Sequence, residues 1–110
     1  MIPTQGDDGI KWFADCWKLD TKAWTWEKVW DGGDRLTRSS HTCNVVKDTD
    51  GKDMIILFGG STDREHLNDV VTMKFRGEIG SSRLDVFSRA TAGDVPSQRS
   101  CASAVVVDGK

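Results

Sequence analysis

Met54-Ile55-Ile56-Leu57-Phe58-Gly59-Gly60 is an apolar run closed by two glycines. A run this short, bounded by turn residues, cannot make a helical face and matches a buried strand. Gly59 and Gly60 permit positive φ or close approach of other backbone, and a tight bend where the strand stops is the expected use. Upstream, Lys47-Asp48-Thr49-Asp50-Gly51-Lys52 carries an Asp-Gly hairpin signal, and His41-Thr42-Cys43-Asn44-Val45-Val46 precedes it as a partner strand. Downstream, Asp69 lies nine residues past Gly60 inside Leu67-Asn68-Asp69-Val70-Val71, which opens a strand over 68–75.

Two stretches nearer the start of the chain show a period of two. Residues 13–20 alternate, with Phe13, Trp17 and Leu19 sharing a face with Asp15, and Trp24, Trp26 and Trp30 alternate across a turn at Asp20-Thr21-Lys22. Residues 1–9 are expected to be loop. Residues 83–90 and 102–107 are expected to be strands, the last one stopping at Asp108-Gly109-Lys110. Short strands at close spacing with no helical stretch predict an all-β protein.

With 110 residues, 29% charged and 37% hydrophobic, the composition is that of a soluble globular chain rather than a disordered one. A net charge of −2, with basic and acidic residues interspersed, gives no field to hold nucleic acid or an anionic membrane surface. No apolar stretch is long enough to span a bilayer, and Met1-Ile2-Pro3-Thr4-Gln5-Gly6 has no signal-peptide pattern. Cys16, Cys43 and Cys101 are odd in number and widely spaced, so free thiols in a reducing compartment are expected. The expected location is the cytoplasm, with the nucleus as the alternative.

The chain repeats itself. At an offset of 61, Gly32 falls on Gly93, Arg38 on Arg99, Ser39 on Ser100, Val45 on Val106, Val46 on Val107, and Trp26 on Phe87. At an offset of 54, Gly6 falls on Gly60, Phe13 on Leu67 and Asp15 on Asp69. The two registers differ by a seven-residue insertion between Phe75 and Phe87, as repeated sheets with variable surface loops produce.

Arg38-Ser39-Ser40-His41, Phe58-Gly59-Gly60, Leu67-Asn68-Asp69, Asp15-Cys16-Trp17-Lys18-Leu19-Asp20 and Trp26 together resemble the kelch repeat, over nearly the whole chain. The resemblance implies a kelch-type β-propeller fragment built of four-stranded antiparallel blades. Residues 1–37 would supply the last two strands of a first repeat, residues 38–98 one complete repeat, and residues 99–110 the first strand of a third. The chain departs from the family pattern at Val71, where an aromatic is usual, at Phe87 in place of tryptophan, and at Ala102 where His41 stands in the other copy. A propeller needs about four to eight blades to close, so these residues are expected to belong to a longer chain and to have neighbouring blades of that chain as partners.

Within this scheme Gly59, Gly60, Asp15, Asp69, Trp17, Trp26 and Phe87 are structural positions. The aspartates are expected to accept hydrogen bonds from loop backbone, and Trp17 and Trp26 to pack in the core or between blades. Arg38 and Arg99, with Ser39 and Ser100, lie where the resembled family gathers partner-binding loops, and an arginine fork suits a carboxylate. Bonding between adjacent blades is the competing role for these arginines.

No catalytic, cofactor or metal site is expected. Asp48-Thr49-Asp50-Gly51-Lys52-Asp53 lacks the ligands of a calcium loop. Glu65 and Asp69 resemble the iron-binding carboxylates of some plant kelch proteins, but Met73 stands where that resemblance implies a histidine ligand. His41 and His66 have no ligand partners at suitable spacing. The expected function is that of a non-catalytic protein–protein interaction scaffold that takes other proteins or peptides through rim loops. The alternative is part of an enzyme similar to galactose oxidase or a kelch-type sugar isomerase. The copper of the former needs tyrosine, which this chain lacks, so such a site would sit in other blades.

Overall fold

The structure, a computed structural model, describes residues 4–6, 9–11, 13–30, 36–76 and 83–110. Among them there is no helix, and the protein is all-β. Strands β1 (Thr4–Gly6) and β2 (Gly9–Lys11) pair antiparallel, as do β3 (Cys16–Asp20) and β4 (Thr25–Trp30). β5 (Thr42–Lys47), β6 (Asp53–Ser61), β7 (His66–Arg76) and β8 (Arg83–Arg89) form a four-stranded antiparallel sheet in sequence order. Trp12, the Gly32-Gly33 loop and the insertion around residues 77–82 lie outside the described residues.

The hairpin loops are built by their own side chains. Asp20 Oδ1 accepts from the Lys22 and Ala23 N–H groups at 2.8 and 3.1 Å, which turns the chain between β3 and β4. Asp48 Oδ1 does the same for Asp50 and Lys52 at 2.8 and 2.9 Å, with Gly51 at φ 78°. Asp48 Oδ2 meanwhile accepts from Lys74 Nζ at 2.7 Å and ties the loop to β7.

The register places Ile55 and Leu57, Val71 and Met73, and Leu84 and Val86 on one face of the sheet. Val29 of β4 and Leu36 close over that face, with Cys16 and Trp30 packed at its edge. Leu36 and Val71 are 1% and 0% exposed, so this layer between the sheets is the core. The opposite face carries Val46, Met54, Ile56, Phe58, Val70 and Phe87 among polar residues, and Phe87 is 48% exposed.

Four local expectations change. In place of a loop over residues 1–9, Thr4-Gln5-Gly6 pairs with Gly9-Ile10-Lys11; ladder bonds use backbone alone and leave no alternation to detect. The strand expected over 13–20 begins only at Cys16. Residues 102–107 are not a strand, because no neighbouring strand pairs with them among the described residues. The run 54–60 does not stop at its glycines: β6 continues to Ser61 through a β-bulge between Phe58 and Gly60.

Candidate partner-binding site

The bulge is the centre of one end of the four-stranded sheet. Gly59 and Gly60 have φ of 68° and 99°, a region that side-chain-bearing residues rarely enter. A Cβ on Gly60 would lie 2.7 Å from Ser39 O and 3.0 Å from the His41 Cβ; one on Gly59 would lie 2.9 Å from Arg99 O. The close approach allowed by the sequence is present, with protein backbone as the neighbour, while the strand runs on through a bulge in place of stopping at a bend.

Two segments related by the repeat dock on this bulge. Ser39 and Ser61 exchange both backbone bonds, at 2.9 and 2.8 Å. Gly60 N donates to Arg99 O and Arg99 N donates to Leu67 O, each at 2.9 Å, while Cys101 N donates to Ser40 O at 2.8 Å. Ser40 and Cys101 occupy equivalent positions at the offset of 61, and both have positive φ, 57° and 56°. At this position the repeat extends to backbone conformation.

The two arginines meet different fates. Arg38 is 3% exposed and its fork does grip a carboxylate, but that of Asp69 in the same sheet: Nη1 to Oδ1 is 2.6 Å and Nη2 to Oδ2 is 2.9 Å. Nη1 also donates to Gly59 O at 3.1 Å. Asp69 accordingly answers a guanidinium and not the loop backbone expected from sequence, because β7 brings it beside the start of β5. Arg99 is exposed, and its Nε and Nη2 donate to Ser97 O and Oγ, both at 3.0 Å. Its Nη1 meets no protein acceptor among the described residues. Ser39 is buried and Ser100 half-buried. Of the four residues expected to touch a partner, Arg99 is therefore the one whose charged group reaches solvent.

Beside Arg99 the 91–96 loop folds back over the sheet and Asn68 Nδ2 donates to Pro96 O at 3.0 Å. Phe58, Val70, Ala92, Val95 and Pro96 line a half-open groove of about 250 Å³, with Asn68, Thr91 and Asp94 also in its wall. Sequence reasoning did not anticipate this groove. The only signal was Pro96 three residues before Arg99, which marks a loop but not where that loop lies.

Trp17 and Trp26, expected in the core or between blades, lie outside the core of this chain. Trp17 and Trp26 are 50% and 66% exposed on the outer face of the β3–β4 hairpin, and Trp24 is 71% exposed in its turn. Trp17 is held by its indole N–H donating to Asp15 Oδ2 at 2.7 Å, a bond that lowers the Asp15 pKa, and Lys28 Nζ stands 5.2 Å from the ring centroid. Burial pushes the Cys16 thiol above its ordinary value. His41 is shifted down by burial and by the nearby Arg38 charge. Among the described residues no group of three or more His, Cys, Asp or Glu is placed to hold a metal ion, and no helix is long and apolar enough to cross a membrane.

No protein-family model matches the chain, and no curated protein or solved structure matches it.

Proposed function

We propose that the protein is a kelch-like β-propeller segment that serves as a protein–protein interaction scaffold, with residues 38–98 as one blade and residues 1–37 and 99–110 as parts of the blades on either side. The observation that carries this reading is the repeated lead-in: Arg-Ser followed by a residue at positive φ, at 38–40 and again at 99–101, both docked on the Gly59-Gly60 bulge. In the first copy the arginine is consumed by Asp69. In the second it stands at the surface, steadied by Ser97, next to the apolar groove. An exposed fork beside apolar surface suits a peptide with a carboxylate followed by a small hydrophobic side chain.

The test is a titration of the isotopically labelled 110-residue chain with an Asp/Glu-rich peptide carrying one leucine or valine, followed by amide resonances. Shifts confined to Asn68 and residues 91–101, weakened by added salt and lost in Arg99→Glu, are expected. Shifts that map elsewhere, or that survive Arg99→Glu, would count against the reading.

A further inference from the structure

His41 follows the positive-φ residue Ser40 and crosses the Gly59-Gly60 bulge: its Cα and Cβ lie 3.2 and 3.0 Å from the point that a Cβ on Gly60 would occupy. Its Nδ1 is buried and meets no hydrogen-bond partner among the described residues. The backbone carbonyls of this junction are already engaged. Ser39 O accepts from Ser61 N, Ser40 O from Cys101 N, Arg99 O from Gly60 N, and Gly59 O from Arg38 Nη1.

A neutral imidazole suits this position, because it can carry its one proton on Nε2 and leave only a lone pair at Nδ1. An imidazolium does not, because both nitrogens then carry N–H groups and a buried donor without an acceptor is costly. Its charge finds no counter-ion either. Arg38, on the same lead-in, is a second cation, and the Asp69 carboxylate from β7 is held by both arms of that guanidinium. The bulge offers no ionisable group, and Arg99 is turned back onto Ser97. His66 is exposed and lies opposite Ser61, where β6 ends. Burial first, and then the positive charges of the chain's amino group and of Arg38, push the His41 pKa below its ordinary 6.5.

The imidazole is not dictated by the backbone. At the offset of 61, Ala102 holds the same place after Cys101, whose φ matches that of Ser40, and that lead-in docks on the same bulge without a histidine.

We infer that His41 is a pH-sensitive latch on this junction: neutral, it lies against the bulge and leaves both lead-ins bonded there, and on gaining a proton it releases them. The opened junction binds the proton more readily, since the docked state has the lower pKa. The latch is therefore whole above 6.5 and is lost as pH falls through the docked-state value. It does not depend on acidic-peptide capture at Arg99, because it acts on bonds within the chain.

Amide exchange of the full 110-residue chain between about pH 7 and about pH 5, expressed as protection relative to the unstructured rate, tests it. Protection of the Ser39, Gly60, Ser61, Arg99 and Cys101 amides is expected to fall by about threefold or more. The Asp48 and Gly51 amides, which close the loop at the other end of the sheet, stay unchanged. The fall disappears in His41→Gln and persists in His66→Gln. In the unaltered chain the His41 ring protons, followed by NMR, titrate with a midpoint below 6.5. Constant protection at the five amides, a fall that survives His41→Gln, or a His41 midpoint at or above 6.5 overturns the inference. Protection and midpoint are both read on the unaltered chain, so they decide the matter even where His41→Gln fails to fold.

Discussion

Arg38 and Asp69 meet fork to fork, through bonds of 2.6 and 2.9 Å, with the arginine side chain 3% exposed and the aspartate 42% exposed. The pair joins the lead-in to β5 with the first half of β7, across the bulge in β6, so three segments of the sheet are locked at one end. Its asymmetry in burial sets the consequences of breaking it.

Asp69→Asn leaves a buried guanidinium without its counter-charge, and removing one partner of a buried pair costs about 3–5 kcal/mol. Arg38→Met leaves instead a carboxylate that water can reach, and about 1–2 kcal/mol is expected. Urea unfolding should therefore rank Asp69→Asn as the more damaging change, with a lower midpoint and an unaltered slope.

Gly60→Ala combines a forbidden φ of 99° with a Cβ only 2.7 Å from Ser39 O. Gly51→Ala has φ 78° but nothing within 4 Å, so it meets the backbone penalty alone, about 1–2 kcal/mol. Gly60→Ala should lose clearly more in the same measurement and should also free the Ser39–Ser61 bridge, seen as faster exchange of both amides.

How far the sequence foretold this arrangement depends on what each residue's signal reports. A short apolar run bounded by turn residues located β6, and alternation located β4, because both strands put side chains into a core contained in the chain. The offset of 61 reported backbone conformation: Ser40 and Cys101 adopt the same positive φ although they differ in residue type. It could not report pairing, which is why Val45-Val46 lie in a strand and Val106-Val107 do not. Nor could it report that Arg38 would be satisfied internally and Arg99 exposed, since that depends on whether an aspartate lies within reach on a neighbouring strand. The groove beside Arg99 was hidden because a loop's direction is set by tertiary contacts such as Asn68 to Pro96.

Leu84→Ala and Trp26→Ala should behave in opposite ways to what side-chain size alone suggests. Leu84 is 5% exposed within the layer between the sheets, and its truncation is expected to cost about 2–4 kcal/mol through lost transfer energy and a residual cavity. Trp26 is 66% exposed, and its truncation should cost less than about 1 kcal/mol. Acrylamide quenching gives the companion measurement: with Trp17, Trp24 and Trp26 at 50%, 71% and 66% exposure, much of the native fluorescence should be accessible to the quencher before any denaturant is added.

Among the described residues, acid should find its largest single foothold at Asp48. Its pKa is held at about 2, against an ordinary 3.8, first by the Lys74 bond and then by the Lys52 and Asp50 N–H groups. Because the folded-state value is the lower one, the unfolded chain binds the proton more readily. The stabilisation is whole above the unfolded value and is lost as pH falls through the folded one. Urea midpoints should accordingly decline from about pH 4 to about pH 2. Asp48→Asn, which keeps the loop bonds through its side-chain oxygen but cannot ionise, should start from a lower midpoint at neutral pH and decline less over that window. A slope remains in the variant, because Asp15 and Asp20 are also shifted down, by the Trp17 indole N–H and by the Ala23 and Lys22 amides respectively. An Asp48→Asn chain whose midpoint falls as steeply as the parent's would show that Lys74 does not hold that carboxylate in solution.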